Sequence, residues 1–319
     1  MEKLKKTQLY SLLIILLILV PVAGINLYVH VQQEKIKEQQ RVCNSMRDLL
    51  VQNTLTPALQ KVQAKAFYAY DFTKGVKIAG KNDDLPSPLA SLTKIMTIRT
   101  ALKNAVPHEF YTVQKQDLLS DGFFGFVPGD SYRISELVTA ALVGSVNHAA
   151  VMLSRSTGVS ESSFVEKMNS EAQELGLKTL RFGNPTGLDI DDTVATAFGS
   201  AHDVLFLLHN NYLDFPEYSA VSTKTNVTIK SSSGRAILLK NTNPIVDTLP
   251  LLLASKTGYT DTAGGNLAVL WREPGNNILG AVVLGSSELG RFDDVKAIHD
   301  SASTYVSAAR SLPSYCNFK

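Results

Sequence analysis

Cysteine is nearly absent, with Cys43 and Cys316 the only two in 319 residues. They form no pair at ligand spacing, and no His-Glu-x-x-His run occurs among six scattered histidines, so clustered metal ligands for a hydrolase are missing. A Gly-x-Ser-x-Gly elbow is also lacking, which argues against a Ser-His-Asp hydrolase built on that turn. The formal net charge of +2 includes no basic block beyond the first residues, so there is no footprint for nucleic acid. Internal repeats and low-complexity tracts are missing too. What remains, 45% hydrophobic and 19% charged, is an ordinary globular composition, enough for one large domain or two lobes.

Uninterrupted apolar sequence is concentrated at one place, Leu9 to Val29. At the helical rise that run reaches about 30 Å, the thickness of a bilayer core. Lys3, Lys5 and Lys6 precede it, which keeps the N-terminus cytoplasmic, and Tyr10 and Tyr28 fall near the two interfaces. The alternative is a cleaved signal peptide, with Val22, Ala23 and Gly24 as small residues after Pro21. Either option places the rest of the chain outside the cytoplasm. The expected organisation is a cytoplasmic start over 1–8, a single-pass signal anchor in the cytoplasmic membrane over 9–29, a helical stalk over 30–54 and a folded domain over 55–319. Gln32 to Gln40 carries no apolar stripe and suits a solvated spacer.

Ala66–Tyr70 and Val76–Ala79 flank a polar turn and read as a hairpin. A helix begins close to Ser91, because Pro86 and Pro88 stop anything earlier and Leu92, Ile95, Ile98 and Leu102 recur at helical spacing. Residues from about 105 to 215 read mainly as helices. Strand character returns at Asn226–Lys230 and Ala236–Leu239, then near Leu251–Ala254, Asn266–Trp271 and Ile278–Leu284, and a last helix covers roughly Phe292–Ala309. Strands at both ends of a helical block imply an α/β (α+β) fold: an antiparallel sheet flanked by helices, plus an all-helical lobe.

Three short clusters carry chemistry. Ser91 and Lys94 stand at i and i+3, so a hydroxyl and an amine share one helix face, and an amine of lowered pKa can activate a hydroxyl. Ser145 and Asn147 follow Gly144 between two apolar helices; a glycine stop with a capping residue would also explain them. Lys256, Thr257 and Gly258 end an apolar strand, where a sheet edge can pair with an extended peptide and where Lys and Thr can bind a carboxylate. A polar strand end is the alternative reading.

Together, in this order, Ser-x-x-Lys, Ser-x-Asn and Lys-Thr-Gly resemble the signature of penicillin-binding proteins and class A β-lactamases. The stretches ASLTKIMT, PGDSYRISELVTAALVGSVNHAA, FGNPTGLD and SKTGYTDTAGGNLA are similar to the low-molecular-mass penicillin-binding proteins, the D-alanyl-D-alanine carboxypeptidase family, over roughly Lys65 to Val306. The resemblance implies a β-lactamase/penicillin-binding-protein-like transpeptidase fold. It also implies peptidoglycan stem peptides as substrates, β-lactam antibiotics as covalent inhibitors, and no cofactor or metal. Ser91 would be the acylated nucleophile, Lys94 its base and Ser145 the relay of a proton to the leaving amine. Asn147 would hold the substrate amide, Lys256, Thr257 and Arg291 its terminal carboxylate, and the N–H groups of Ser91 and Tyr259 the oxyanion.

Departures from the family pattern are Val146 and His148 around Asn147, Leu89 in place of a frequent Pro, and a tail too short for an added β-rich domain. A class A β-lactamase would need a loop Glu for deacylation. Glu166 instead sits in a helical pattern with Phe164, Met168 and Leu175. A D,D-endopeptidase and an inactive peptidoglycan-binding homologue stay open as alternatives. Cys43 and Cys316 flank the domain on the extracytoplasmic side, so they are either a disulfide or two unrelated thiols in the ends.

Overall fold

The computed structural model describes residues 2–119, 125–191, 193–313 and 316, with side chains from residue 20 onward. The chain divides into two compact units, one formed by Leu55–Thr304 and one by Met1–Thr54 with Tyr305–Lys319.

In chain order the elements are α1 (Glu2–Leu50), α2 (Thr56–Leu59), β1 (Ala66–Asp71), β2 (Val76–Lys81), β3 (Ser87–Pro88) and α3 (Lys94–Asn104). There follow β4 (Phe110–Thr112), β5 (Ser131–Arg133), α4 (Ile134–Val143), α5 (Asn147–Ser156), α6 (Glu161–Glu174), β6 (Arg181–Phe182), β7 (Ala197–Gly199), α7 (Ala201–Asp214) and α8 (Pro216–Val221). The chain closes with β8 (Asn226–Lys230), β9 (Ala236–Lys240), β10 (Leu252–Thr260), β11 (Gly264–Arg272), β12 (Ile278–Ser286) and α9 (Gly290–Ala309).

Within Leu55–Thr304 a five-stranded antiparallel sheet runs in the order β10-β11-β12-β1-β2. Its central strands are apolar on both faces because both are covered: Leu267 through Trp271 are wholly buried. Leu205 of α7 reaches Gly280 on β12, where any side chain would collide with it, and His299 of α9 lies against Trp271 with ring centres 4.9 Å apart. β10 is an edge strand, so one row of its backbone groups is free of sheet pairing. The helical part consists of α3 to α6, and α3 is its axle, buried from Lys94 through Leu102. Burying Arg99 there is tolerated because Glu171 accepts from its Nε at 2.7 Å and Asp214 from its Nη1 at 2.8 Å. The expected fold class thus holds, and Glu166 lies within α6.

The stretch expected to be mainly helical also contains two short strand pairs, β4 with β5 and β6 with β7. Turn residues explain them: Pro128-Gly129-Asp130 precedes β5, and the loop between β6 and β7 carries Asn184-Pro185-Thr186-Gly187, sequences that break a helix and reverse the chain. His202 and His209 both lie on α7. The first bonds Asp203 at 2.8 Å and the second stacks on Phe72 with ring centres 3.7 Å apart.

In the other unit α1 runs 49 residues with Pro21 inside it. The candidate span Leu9–Val29 begins outside the residues whose side chains are described, as do Lys3, Lys5, Lys6 and Tyr10. Among the described residues no helix is long and apolar enough to cross a membrane. From residue 20 on, Val20, Val22, Ile25, Leu27, Tyr28 and Val29 are all exposed. Cys43 and Cys316 form a disulfide with Cα atoms 5.3 Å apart, and Arg47 donates to the Cys316 carbonyl at 2.6 Å. The two cysteines are therefore not free thiols.

Candidate active site

The chain enters the site through a kink. Ala90 adopts a φ of +48°, and residues Ala90–Thr93 then form one turn of 3-10 helix before α3 begins at Lys94. In that tighter turn the side chains at i and i+3 eclipse, which is what brings Ser91 and Lys94 together. Two clamps hold the kink. Asn266, wholly buried on β11, donates to the carbonyls of Pro88 at 3.0 Å and Leu89 at 3.1 Å, and accepts from Gly285 N–H at 2.8 Å. Gly187 packs so tightly that a Cβ there would lie 2.0 Å from the Ala90 carbonyl oxygen.

Lys94 is fully buried and caged by three oxygens: Ser91 Oγ at 2.6 Å, Asn147 Oδ1 at 2.8 Å and the Thr186 carbonyl at 2.8 Å. Burial away from water lowers its pKa to about 7. A hydrogen count shows what this does. A neutral amine has two N–H bonds and one lone pair, and the Asn147 and Thr186 oxygens can only accept. They take both N–H bonds, so the lone pair is left facing the Ser91 hydroxyl. The cage presents a base to that hydroxyl and to nothing else.

Ser145 sits between α4 and α5 with φ +54°, a left-handed conformation a serine adopts at a cost of roughly 1 to 2 kcal/mol. The glycine-stop reading fails on this point, because Gly144 keeps right-handed backbone and the strained residue is the serine itself. Gly144 is needed for space: a Cβ would meet Val146 at 3.0 Å and Leu239 at 3.3 Å. The Ser145 hydroxyl accepts from Lys256 Nζ at 2.8 Å, which leaves its own hydrogen free to point elsewhere. Asn147 opens α5 two residues after the strained residue, and its oxygen is turned to Lys94.

From β10, Lys256 also donates to the Thr257 carbonyl at 2.8 Å. It is buried, and its pKa is held well below the ordinary lysine value, first by loss of water and then by the charges of Lys94 and Arg291. Thr257 shares a 2.5 Å hydroxyl contact with Thr242. Gly258 lies against the turn that carries Ser91. A Cβ would lie 2.8 Å from the Leu89 carbonyl and 3.2 Å from the Ser91 nitrogen, so the missing side chain lets β10 close on the Ser91 turn. Tyr259 is exposed beside it. Arg291, in the first turn of α9, is buried and donates to the Gly258 carbonyl at 3.1 Å from beneath the strand, while its Nε has no partner.

All nine residues read from the sequence therefore fall into two linked groups. One is Ser91, Lys94 and Asn147, and the other is Ser145, Lys256, Thr257, Gly258, Tyr259 and Arg291. Sequence reasoning passed over Thr186, Asn266 and Thr242. Thr186 acts only through its carbonyl, which no side-chain motif signals. The turn that aims it was visible as Asn-Pro-Thr-Gly, and Asn184 Oδ1 indeed ties that turn to the N–H groups of Thr186 at 3.0 Å and Gly187 at 2.7 Å. Asn266 was betrayed only by being polar at the head of an apolar strand. No group of metal-ligating side chains occurs among the described residues.

The sequence pattern of the family described as D-alanyl-D-alanine carboxypeptidase, peptidase S11, matches residues 52–288. The chain belongs to that family. It is 32% identical over 213 residues to a D-alanyl-D-alanine endopeptidase of Haemophilus influenzae, covering 65% of this chain and 70% of that one. It is 29% identical over 231 residues to the D-alanyl-D-alanine carboxypeptidase DacF of Bacillus subtilis, covering 70% of this chain but only 58% of that longer protein. Among solved structures, penicillin-binding protein D2 of Listeria monocytogenes in its ampicillin-bound form superposes with a TM-score of 0.66 at 25% identity, over 76% of this chain and 98% of that one. The family match ends just short of Arg291, which meets the site through the Gly258 carbonyl.

Proposed function

We propose that the protein is a serine D-alanyl-D-alanine carboxypeptidase that removes the terminal D-Ala of peptidoglycan stem peptides through an acyl-enzyme on Ser91. The observation that carries this reading is the Lys94 cage, which aims one lone pair at one hydroxyl. Lys94 takes the proton as Ser91 Oγ attacks the penultimate D-Ala carbonyl, and the N–H groups of Ser91 and Tyr259 receive the oxyanion. Ser145 then hands its hydrogen to the departing amine and is resupplied from Lys256. Asn147 holds the substrate amide, and Lys256, Thr257 and Arg291 meet the terminal carboxylate. Water then attacks the ester: its proton returns through Ser145 to Lys256, and Lys94 gives its proton back to the departing Ser91 Oγ. A β-lactam follows the same first step and stays attached, so labelling with a fluorescent penicillin is the test. Wild-type protein should take the label and Ser91→Ala should not; labelling of the variant would refute the assignment.

Cleavage of D-Ala crosslinks is a second reading, supported by the Haemophilus influenzae relative's name. Digestion of purified crosslinked peptidoglycan, with the products identified by mass, separates the two. For location we propose an N-terminal anchor, with 1–8 cytoplasmic, 9–29 in the membrane, 30–54 as stalk and 55–319 outside as the peptidase domain. It is supported by three lysines ahead of the apolar run and by the exposed apolar side chains from Val20 to Val29. Retention in the membrane pellet after alkaline washing supports an anchor, and release of a shortened chain supports signal cleavage instead.

A further inference from the structure

The hydroxyl of Thr257 does not stand alone. Its oxygen is 2.5 Å from that of Thr242, and among the described residues the Thr242 hydroxyl meets one other acceptor, the Val143 carbonyl, at a long 3.5 Å. That carbonyl is already engaged by the Thr242 N–H at 3.0 Å. The backbone around Thr242 is locked from both sides. Asn241 donates to the carbonyls of Ser222 at 2.8 Å and Lys224 at 2.9 Å and accepts from Asn243 N–H at 2.8 Å, while Asn243 donates to Ser255 Oγ at 2.8 Å. The Thr242 oxygen is thereby fixed in place, and what remains adjustable is the direction of its hydrogen.

Two hydroxyls at this distance share one hydrogen bond, so the direction of that bond decides what Thr257 can offer a ligand. If Thr257 donates to Thr242, its hydrogen is used and an arriving carboxylate meets only lone pairs. If Thr242 donates, Thr257 keeps its hydrogen for an acceptor. The weak competition from Val143 leaves the Thr242 hydrogen free for the second arrangement. A peptide ending in an amide can donate N–H to Thr257 and has no need of that direction, whereas a carboxylate can only accept. We propose that Thr242 is a positioning residue, one that turns the Thr257 hydroxyl outward and so sets the preference of the site for a peptide ending in a free carboxylate over one ending in an amide. The proposal rests on the reading of Thr257 as a ligand of the terminal carboxylate.

The test compares kcat/KM for a diacetylated Lys-D-Ala-D-Ala peptide and for its C-terminal amide, using the full-length protein in detergent. Thr242→Val keeps the shape and removes the donor, and should lower the acid-to-amide ratio about tenfold, the size of one hydrogen bond to a charged group. Thr242→Ser restores the donor and should return the ratio to within about twofold of wild type. A purely structural role would depress both substrates together and leave the ratio alone, which would overturn the proposal. If Thr242→Val folds poorly, Thr242→Ala serves as the donor-free variant. Thr257→Val tells the two failures apart. A lowered ratio in Thr257→Val with an unchanged one in Thr242→Val sinks the proposal only, whereas an unchanged ratio in both sinks the carboxylate reading and the proposal with it.

Discussion

The two units of the chain differ in where they keep their polar atoms. In Leu55–Thr304 two fully buried lysines, a buried arginine and a buried asparagine are each held by oxygens, and that polar interior is the candidate site. The other unit is a long helix whose described apolar residues at 20–29 face outward, joined to the chain's end by the disulfide. Desolvated polar groups make chemistry, because burial shifts a lysine toward its neutral form. Exposed apolar groups make only surface, and surface wants a partner such as lipid. Removing a buried polar group of the candidate site should therefore change rates by about tenfold or more, and substitutions in the second unit by less than about twofold.

Removal of Lys94 is the severest test. Lys94→Ala should slow acylation by penicillin on the order of 10²-fold to 10⁴-fold, the usual loss when a general base is deleted, with the fold retained. Lys256→Ala should cost less, roughly 10-fold to 10²-fold, because it removes a charge-assisted hydrogen bond and not the base. Stopped-flow acylation measures both. An equal loss would mean that the two buried amines share one job, contrary to their different partners.

The pH profile sharpens the same point. Lys94 acts as base only when neutral, and its folded pKa is lowered to about 7 from the ordinary lysine value. Its neutral fraction is near complete well above that pH and falls about tenfold per unit below it. Acylation should therefore rise through neutral pH to a plateau on the alkaline side. A rate that kept rising toward pH 10 would show an unshifted lysine and an open cage.

Much of this was legible in advance, for reasons that differ from residue to residue. Ser91 and Lys94 were readable because helical spacing is a local property, and the sheet was readable because its strands are apolar runs between turn residues. Thr186 and Thr242 were not, since they act across 92 and 15 residues through a carbonyl and through another residue's hydroxyl. Ser145 falls in a connection between two apolar helices, but its left-handed backbone is a tertiary feature that a string of letters does not show. Asn266 sits between the two cases. Asn266→Ala would remove the donor to Pro88 and Leu89 and orphan Gly285 N–H, a loss of about 2 to 3 kcal/mol. It should appear as a lower denaturation midpoint for the catalytic unit together with slower acylation; a stability loss without a rate loss would show that the kink at Ala90 holds itself.

The smallest effect is expected from the disulfide. Cys43 and Cys316 both belong to the unit that contributes none of the site residues, so Cys43→Ser should leave the acylation rate within about twofold of wild type, the range of substitutions away from the site. What should change is the covalent connection. The bridge spans 273 residues, so the chain end stays linked to α1 even if the backbone between them is cut. Protease-nicked wild-type protein should run as one species on a non-reducing gel and as separate fragments after reduction, and nicked Cys43→Ser protein should separate without reduction. Alkylatable thiols at both positions in the purified, non-reduced protein would remove the bridge, and a large fall in acylation rate in Cys43→Ser would break the division between the two units.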